Sequence, residues 1–126
     1  MQSPTFALTK EKLTMILYHN PRCKKSRETL ALLQEHGHQP SIREYLKDTP
    51  TAKELKAVLA KLDMPAEKLL RKGEAIFKEA YKGKELTESK WIKAMVEHPK
   101  LIERPILIVG DKAAIGRPPE QVLTIL

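Results

Sequence analysis

The sequence is poor in cysteine and in aromatic residues, and it contains no long apolar run. Its 126 residues include one cysteine, Cys23, two Phe, three Tyr and one Trp. One cysteine excludes an internal disulfide and a four-thiolate zinc site, which indicates a reducing compartment, so we expect a cytoplasmic protein. The few aromatic residues leave little for base stacking, and no stretch approaches the roughly 18 apolar residues of a membrane-spanning helix. We therefore expect neither a nucleic-acid partner nor a membrane partner.

Charge and apolar content indicate an ordinary folded domain. Lys and Arg outnumber Asp and Glu by 23 to 16, which gives a formal net charge of +7. The two signs are interleaved along most of the chain, a pattern typical of a solvated surface. With 41% hydrophobic residues, the chain has enough apolar side chains for one mostly aliphatic core. We expect a single compact domain that is monomeric.

Residues 1–14 show no clear hydrophobic period and precede a second methionine, Met15, which opens an apolar run. We interpret them as an N-terminal extension, either unstructured or introduced by an expression vector, although a short helix there stays open. The functional domain is predicted to cover residues 15–126.

The hydrophobic pattern predicts an α/β fold in the order β-α-β, helical insertion, β-β-α. Residues 15–18 form a predicted buried strand, residues 24–36 a helix ended by Gly37, and residues 41–45 a second strand. A strand-helix-strand unit implies a parallel pair with a right-handed crossover. The remaining predicted elements are a capped helix over residues 51–63, a short helical piece over residues 65–72, a helix over residues 88–98, strands over residues 106–109 and 113–115, and a final helix opening at Pro118.

Cys23 lies at the predicted strand-to-helix turn, where helix N–H groups and the positive end of the helix dipole favour a thiolate over a thiol. The same geometry binds anions. Four cationic neighbours add positive charge: Arg22, Lys24, Lys25 and Arg27. We predict that Cys23 is a nucleophile, and the alternative is a cysteine that only packs in the core.

Polar residues around the cysteine could support it. Ser26, one helical turn after Cys23, could donate a hydrogen bond to the thiolate or simply face solvent. His19 could tune the cysteine or carry a proton, or it could be purely structural, and Asn20 with the following proline favours a turn. His36, His38 and His98 stand near helix ends without accompanying acidic or thiol ligands, so we expect no metal site.

Two arginines, Arg104 and Arg117, are each followed by proline, which restricts the local backbone. The bond before Pro105, at the entrance of a buried strand, is a position where a cis proline can occur. Guanidinium groups match the oxygens of a tetrahedral oxyanion. Two such arginines together with Cys23 predict an oxyanion-binding site.

Four segments together resemble a known family: residues 18–27 with Cys23 and Ser26, residues 69–72 with Arg71, residues 102–106 with Arg104, and residues 115–120 with Arg117. Their order along residues 15–126 is similar to that of the glutaredoxin-dependent arsenate reductases of the ArsC type, which have a thioredoxin-like fold with a helical insertion. The fold class implied is thus α/β, with a thioredoxin-like β-α-β / β-β-α sheet.

The resemblance implies that Cys23 attacks arsenate to form a thiol-arsenate adduct, while Arg71, Arg104 and Arg117 hold the oxyanion and His19 tunes the thiol. It also implies glutathione as co-substrate, glutaredoxin as protein partner, and no bound cofactor or metal. Two alternatives stay open: a glutathione-linked thiol transferase with another substrate, and a regulatory protein of the Spx type that binds RNA polymerase. Ser26 argues against the latter, because it replaces the second cysteine of that redox switch.

Overall fold

The computed structural model describes residues 14–126, and the predicted extension up to residue 13 lies outside the described residues. The chain divides into two compact units. The first combines the described residues up to Glu44 with Arg104–Leu126, and the second is Tyr45–Glu103. The prediction of one domain over residues 15–126 stays a prediction.

The first unit is built on a four-stranded mixed sheet. Its strands are β1 (Met15–Tyr18), β2 (Ser41–Arg43), β3 (Ile106–Val109) and β4 (Lys112–Ile115), in the spatial order β2-β1-β3-β4. Strands β1 and β2 are parallel, whereas β1 with β3 and β3 with β4 are antiparallel. The topology confirms the predicted parallel β-α-β unit and the β-β hairpin, although β2 ends two residues earlier than predicted.

Helix α1 (Lys24–Glu35) joins β1 to β2, and a 3₁₀ helix (Pro119–Ile125) packs against α1 and β4. The prediction of an ordinary α-helix at the C-terminus was wrong, because this segment forms 3₁₀ turns that begin at Pro119. The core between helices and sheet is aliphatic. Its fully buried members are Leu17, Leu33, Leu107 and Val122.

We expect the substitution Leu107→Ala to lower the free energy of unfolding by about 3 kcal/mol, since it leaves a cavity in a fully buried cluster. Leu107 pairs directly with Leu17 on β1, so no backbone freedom is available to fill the space. Urea unfolding of the purified protein measures the change. Leu126→Ala is the matched control, because Leu126 is 45% exposed and its loss should cost less than about 0.5 kcal/mol. Equal effects of the two substitutions would contradict this assignment of the core.

The second unit is helical and is the insertion predicted between β2 and β3. Its helices are α2 (Ala52–Leu62), α3 (Ala66–Leu69), α4 (Ala75–Ala80) and α5 (Glu88–Glu97), followed by a 3₁₀ turn (Pro99–Leu101). Thr51 forms the predicted capping box with Glu54, each side chain accepting from the other residue's backbone N–H. Helix α5 packs against α2 and α3. None of the helices in residues 14–126 is long and apolar enough to span a bilayer.

Helix α4 was not predicted from the sequence. It spans six residues, has no side-chain cap at Glu74, and buries only Phe77, so its periodic signal is weak. The ring of Phe77 stacks on Trp91 of α5 with centroids 6.2 Å apart. Tertiary packing of these rings therefore stabilises a helix that its local sequence does not specify.

Candidate active site

Cys23 stands at the N-terminal boundary of α1, as predicted. It is the N-cap residue and its carbonyl accepts the Arg27 N–H at 3.0 Å, which starts the helix. The thiol side chain does not cap the helix, and the residue is 9% exposed. Cys23 therefore leaves the first-turn N–H groups of this 12-residue helix without a side-chain cap. An anion placed here meets the positive end of the helix dipole.

The cation that reaches the sulfur comes from the far end of the chain. Arg117 Nη2 lies 3.7 Å from Cys23 Sγ, and Arg117 Nε donates to the Arg104 carbonyl oxygen at 2.8 Å. The guanidinium is therefore held between a backbone acceptor and the thiol. The bonds preceding Pro105 and Pro118, one after each arginine, are both cis.

Two of the four cationic neighbours of Cys23 in sequence have other partners. Arg27 Nη1 donates to the Pro21 carbonyl oxygen at 3.0 Å, and Lys25 Nζ lies 3.6 Å from Glu28 Oε1. Arg22 and Lys24 are exposed. Proximity in sequence thus did not identify the cation that contacts the sulfur, since Arg117 lies 94 residues away in the chain.

Ser26 and His19, both buried, and the half-buried Asn20 form a hydrogen-bonded polar group at the start of α1. Ser26 is fully buried and His19 is 6% exposed. The Ser26 hydroxyl bonds to His19 Nδ1 at 2.6 Å and accepts the Asn20 backbone N–H at 3.0 Å. The expectation that Ser26 might face solvent was wrong, because the loop before Cys23 folds over the first turn of the helix. Asn20 also closes the turn, accepting the Cys23 N–H through its carbonyl and the Arg22 N–H through Oδ1.

Burial lowers the pKa of His19 below its ordinary value of 6.5; the carboxylate of Glu44 opposes this shift and the charge of Arg27 adds to it. His19 is therefore neutral at physiological pH. Its neutral ring presents one donor and one acceptor nitrogen, so either hydrogen arrangement with the Ser26 hydroxyl satisfies Nδ1.

We expect the stability of the protein to rise with pH up to about 6.5, partly through His19. Below that pH the unfolded chain binds a proton at this histidine more readily than the folded chain does, so acid favours unfolding. Above it, both states carry a neutral ring and the contribution vanishes. His19→Asn keeps a polar atom near the position of Nδ1 and removes the titration. Urea unfolding from pH 5 to 8 should give a flatter pH dependence for the variant, and parallel curves would contradict the prediction.

Arg71, assigned to the oxyanion site by resemblance, belongs to the second unit. Its Nη1 donates to Glu74 Oε2 and its Nε lies 3.5 Å from Glu103 Oε1. An antiparallel bridge between Leu70 and Ile102 places Arg71 opposite Leu101 and Glu103 opposite Leu69, so Arg71 and Glu103 are diagonal neighbours across the bridge. The sequence analysis did not predict these two carboxylates beside the arginine. The participation of Arg71 in the site stays a prediction.

The chain is similar in sequence to known proteins over most of its length. The ArsC family matches residues 18–125 of the chain. An arsenate reductase of Haemophilus influenzae is 46% identical over 116 residues, which cover 90% of this chain and 100% of the relative. The Escherichia coli K12 protein YfgD is 49% identical over 112 residues, covering 87% of this chain and 94% of YfgD.

The solved structure of an arsenate reductase from Vibrio cholerae superposes with a TM-score of 0.87 at 45% identity, covering 90% of this chain and 98% of that one. The fold is thus the thioredoxin-like fold of ArsC arsenate reductases. Sequence, topology and the cysteine at the helix N-terminus agree, and the chain belongs to the ArsC family.

Proposed function

We propose that this protein reduces arsenate to arsenite, using Cys23 as nucleophile, glutathione as co-substrate and glutaredoxin as the resolving partner. The proposal also places it in the cytoplasm, where both thiols are reduced. The observation that carries it is the 3.7 Å contact between Arg117 Nη2 and Cys23 Sγ at the N-terminus of α1. Arsenate reductases among its relatives supply the substrate.

The contact between Arg117 and Cys23 suits attack on an oxyanion. An anionic thiolate and an anionic substrate repel each other, so a cation must lie beside both. A guanidinium offers several N–H donors in one plane, so Arg117 can turn a donor to a substrate oxygen while it stays near the sulfur. The N–H groups of the α1 first turn provide further donors for charge that develops during attack.

Arg104 and Arg71 complete the proposed oxyanion site. Arg104 precedes β3 in the first unit, and its carbonyl oxygen already fixes Arg117 Nε. Arg71 is balanced by Glu74 and Glu103 in the described structure. An oxyanion that uses Arg71 must therefore share the guanidinium with these carboxylates or displace them. This competition makes the Arg71 contribution weaker than that of an unpaired arginine.

The proposed steps balance in atoms and electrons. Attack by Cys23 forms an As–S bond and releases one water from arsenate, and glutathione forms a second As–S bond with loss of another water. The glutaredoxin thiolate then attacks the glutathione sulfur, so the electron pair of that As–S bond passes to arsenic, which falls from +5 to +3. Water cleaves the remaining bond and releases arsenite and the Cys23 thiol. The two electrons come from glutathione and glutaredoxin, which leave as a mixed disulfide.

The test is arsenite formation by the purified protein with arsenate, glutathione, glutaredoxin and a system that regenerates glutathione. Full turnover is expected only with both thiols present. Omitting glutaredoxin distinguishes attack by Cys23 from the later step that needs glutaredoxin. The arsenate adduct at Cys23 should still form and be visible by mass spectrometry. Absence of both arsenite and adduct would refute the proposal.

Two other activities can be separated from reduction of arsenate. A glutathione-linked thiol transferase would exchange with glutathionylated proteins and leave arsenate unreduced. A redox-switch regulator needs a second cysteine near Cys23, whereas position 26 holds a fully buried serine bonded to His19. Ser26 therefore weighs against a regulatory role of that kind.

A further inference from the structure

Gly116 occupies a position with no room for a side chain. A Cβ atom there would lie 2.6 Å from Thr29 Oγ1 and 2.8 Å from Pro105 Cγ, closer than real Cβ atoms approach. The Thr29 methyl group would lie 3.2 Å away. Gly116 does not have a positive φ angle, so the requirement for glycine is steric. The backbone at Gly116 is thus pressed directly against α1 and against the loop that enters β3.

The atoms that crowd Gly116 are themselves fixed. Thr29 is fully buried and its Oγ1 donates to the Lys25 carbonyl oxygen at 2.8 Å, which sets its rotamer. The Gly116 N–H donates to the Pro105 carbonyl oxygen at 2.9 Å. Neither neighbour is the free end of a flexible side chain. A methyl group added at Gly116 must therefore displace backbone.

The displaced backbone leads directly to Arg117. Helix α1 carries Cys23 at its N-cap and Thr29 in its second turn, so the helix that positions the sulfur also supplies the surface on which Gly116 rests. The contact between the arginine and the thiol spans 94 residues of sequence. The close approach of Gly116 to Thr29 fixes the two chain segments against each other one residue before the guanidinium begins.

We propose that Thr29 and Gly116 act as positioning residues that set the distance between the Arg117 guanidinium and the Cys23 sulfur. The expected effect of that distance on turnover rests on the proposed function. A displacement of about 1 Å in a reacting group can lower a rate by about 10²-fold. Thr29 and Gly116 touch neither the sulfur nor, in the proposed reaction, the substrate. They act through the backbone that carries Arg117.

The test uses two alkylating agents on Cys23, the single cysteine of the chain. Iodoacetate is an anion and iodoacetamide is neutral, so the ratio of their rates reports positive charge at the sulfur and does not depend on arsenate. We expect Gly116→Ala to lower this ratio about fivefold, as loss of one cation–anion contact does, and to lower kcat/KM for arsenate about 10²-fold. The matched control is Gly73→Ala, because a Cβ at Gly73 meets open space and its φ is not positive. This control should keep the wild-type ratio.

Substitutions at Thr29 keep the test decisive if Gly116→Ala fails to fold. Thr29→Ala removes both atoms that touch Gly116 and should lower the ratio, whereas Thr29→Ser retains Oγ1 and should restore most of it. In the double variant Thr29→Ala with Gly116→Ala, the added methyl no longer meets Thr29 Oγ1 or its methyl group, and only the Pro105 Cγ contact is left. The ratio of the double variant should therefore exceed that of Gly116→Ala alone without reaching the wild-type value. A wild-type ratio in folded Gly116→Ala or in Thr29→Ala would overturn the proposal. A lowered ratio in a protein without arsenate turnover would support the positioning role and refute the substrate.

Discussion

We expect Cys23→Ser to lower arsenite formation by at least about 10³-fold, because the substitution removes the proposed nucleophile. Serine has nearly the same size, but its hydroxyl is a weak nucleophile without a strong adjacent base. Cys23 is the single cysteine, so no other thiol in the chain can replace it. The measurement is arsenite production with glutathione and glutaredoxin in excess, together with mass spectrometry for the arsenate adduct, which should be absent.

The fold of Cys23→Ser should be unchanged, because the cysteine side chain makes no capping hydrogen bond. Circular dichroism and thermal unfolding of the variant provide the control for this point. Retention of more than about a tenth of wild-type turnover in a folded Cys23→Ser protein would show that the nucleophile is elsewhere.

We expect Arg117→Ala to lower kcat/KM for arsenate by about 10² to 10³-fold, the effect typical of losing one donor that stabilises developing charge. The guanidinium links the Arg104 carbonyl oxygen to Cys23 Sγ, and alanine removes both contacts. The kcat/KM of Arg117→Lys should lie between those of the wild type and Arg117→Ala. A lysine keeps the positive charge but lacks the planar guanidinium that makes both contacts together. Steady-state kinetics with varied arsenate provide the measurement.

Arg22→Ala is the matched control for Arg117→Ala. Arg22 is adjacent to Cys23 in sequence and is exposed, so its charge lies near the thiol in the chain without the contact that Arg117 makes. Arg117 is exposed as well, so the difference between the two arginines is the 3.7 Å contact of Arg117 with the sulfur. We expect less than about a threefold change in kcat/KM for Arg22→Ala, because solvent and salt screen a charge that makes no such contact. Equal losses in both variants would mean that local positive charge, rather than the geometry of Arg117, supports the reaction.

The sequence predicted the elements whose signals are local. Periodicity and turn residues identified β1, α1 and β3, and the capping box at Thr51 located the start of α2 within one residue. Helix α4 was missed because ring packing around Phe77 stabilises it. The C-terminal segment was assigned the wrong helix type, since proline favours the first turn of either kind.

The sequence predicted which residues belong to the candidate site but not how their side chains contact one another. Cys23, Arg104 and Arg117 could be named from their flanking residues, whereas the contact between Arg117 and the sulfur depends on the register of the sheet. The burial of Ser26 and its bond to His19 depend on how the loop over residues 19–22 closes. The carboxylate of Glu103 reaches Arg71 only through an antiparallel bridge. The contacts within the site therefore depend on pairing between distant segments, which the local sequence pattern does not specify.

The strand order determines when each neighbour of β1 is available during synthesis on the ribosome. Strand β1 is central, yet one of its neighbours follows it after a single helix and the other begins only at Ile106. Synthesis from the N-terminus delivers β1, α1 and β2 early, with one edge of β1 unpaired until residues 106–115 arrive. Arg117 follows that hairpin in the sequence, so it is translated after all four strands of this sheet. A nascent chain thus carries Cys23 without its arginine partner until residue 117 has been translated, 94 residues after the cysteine.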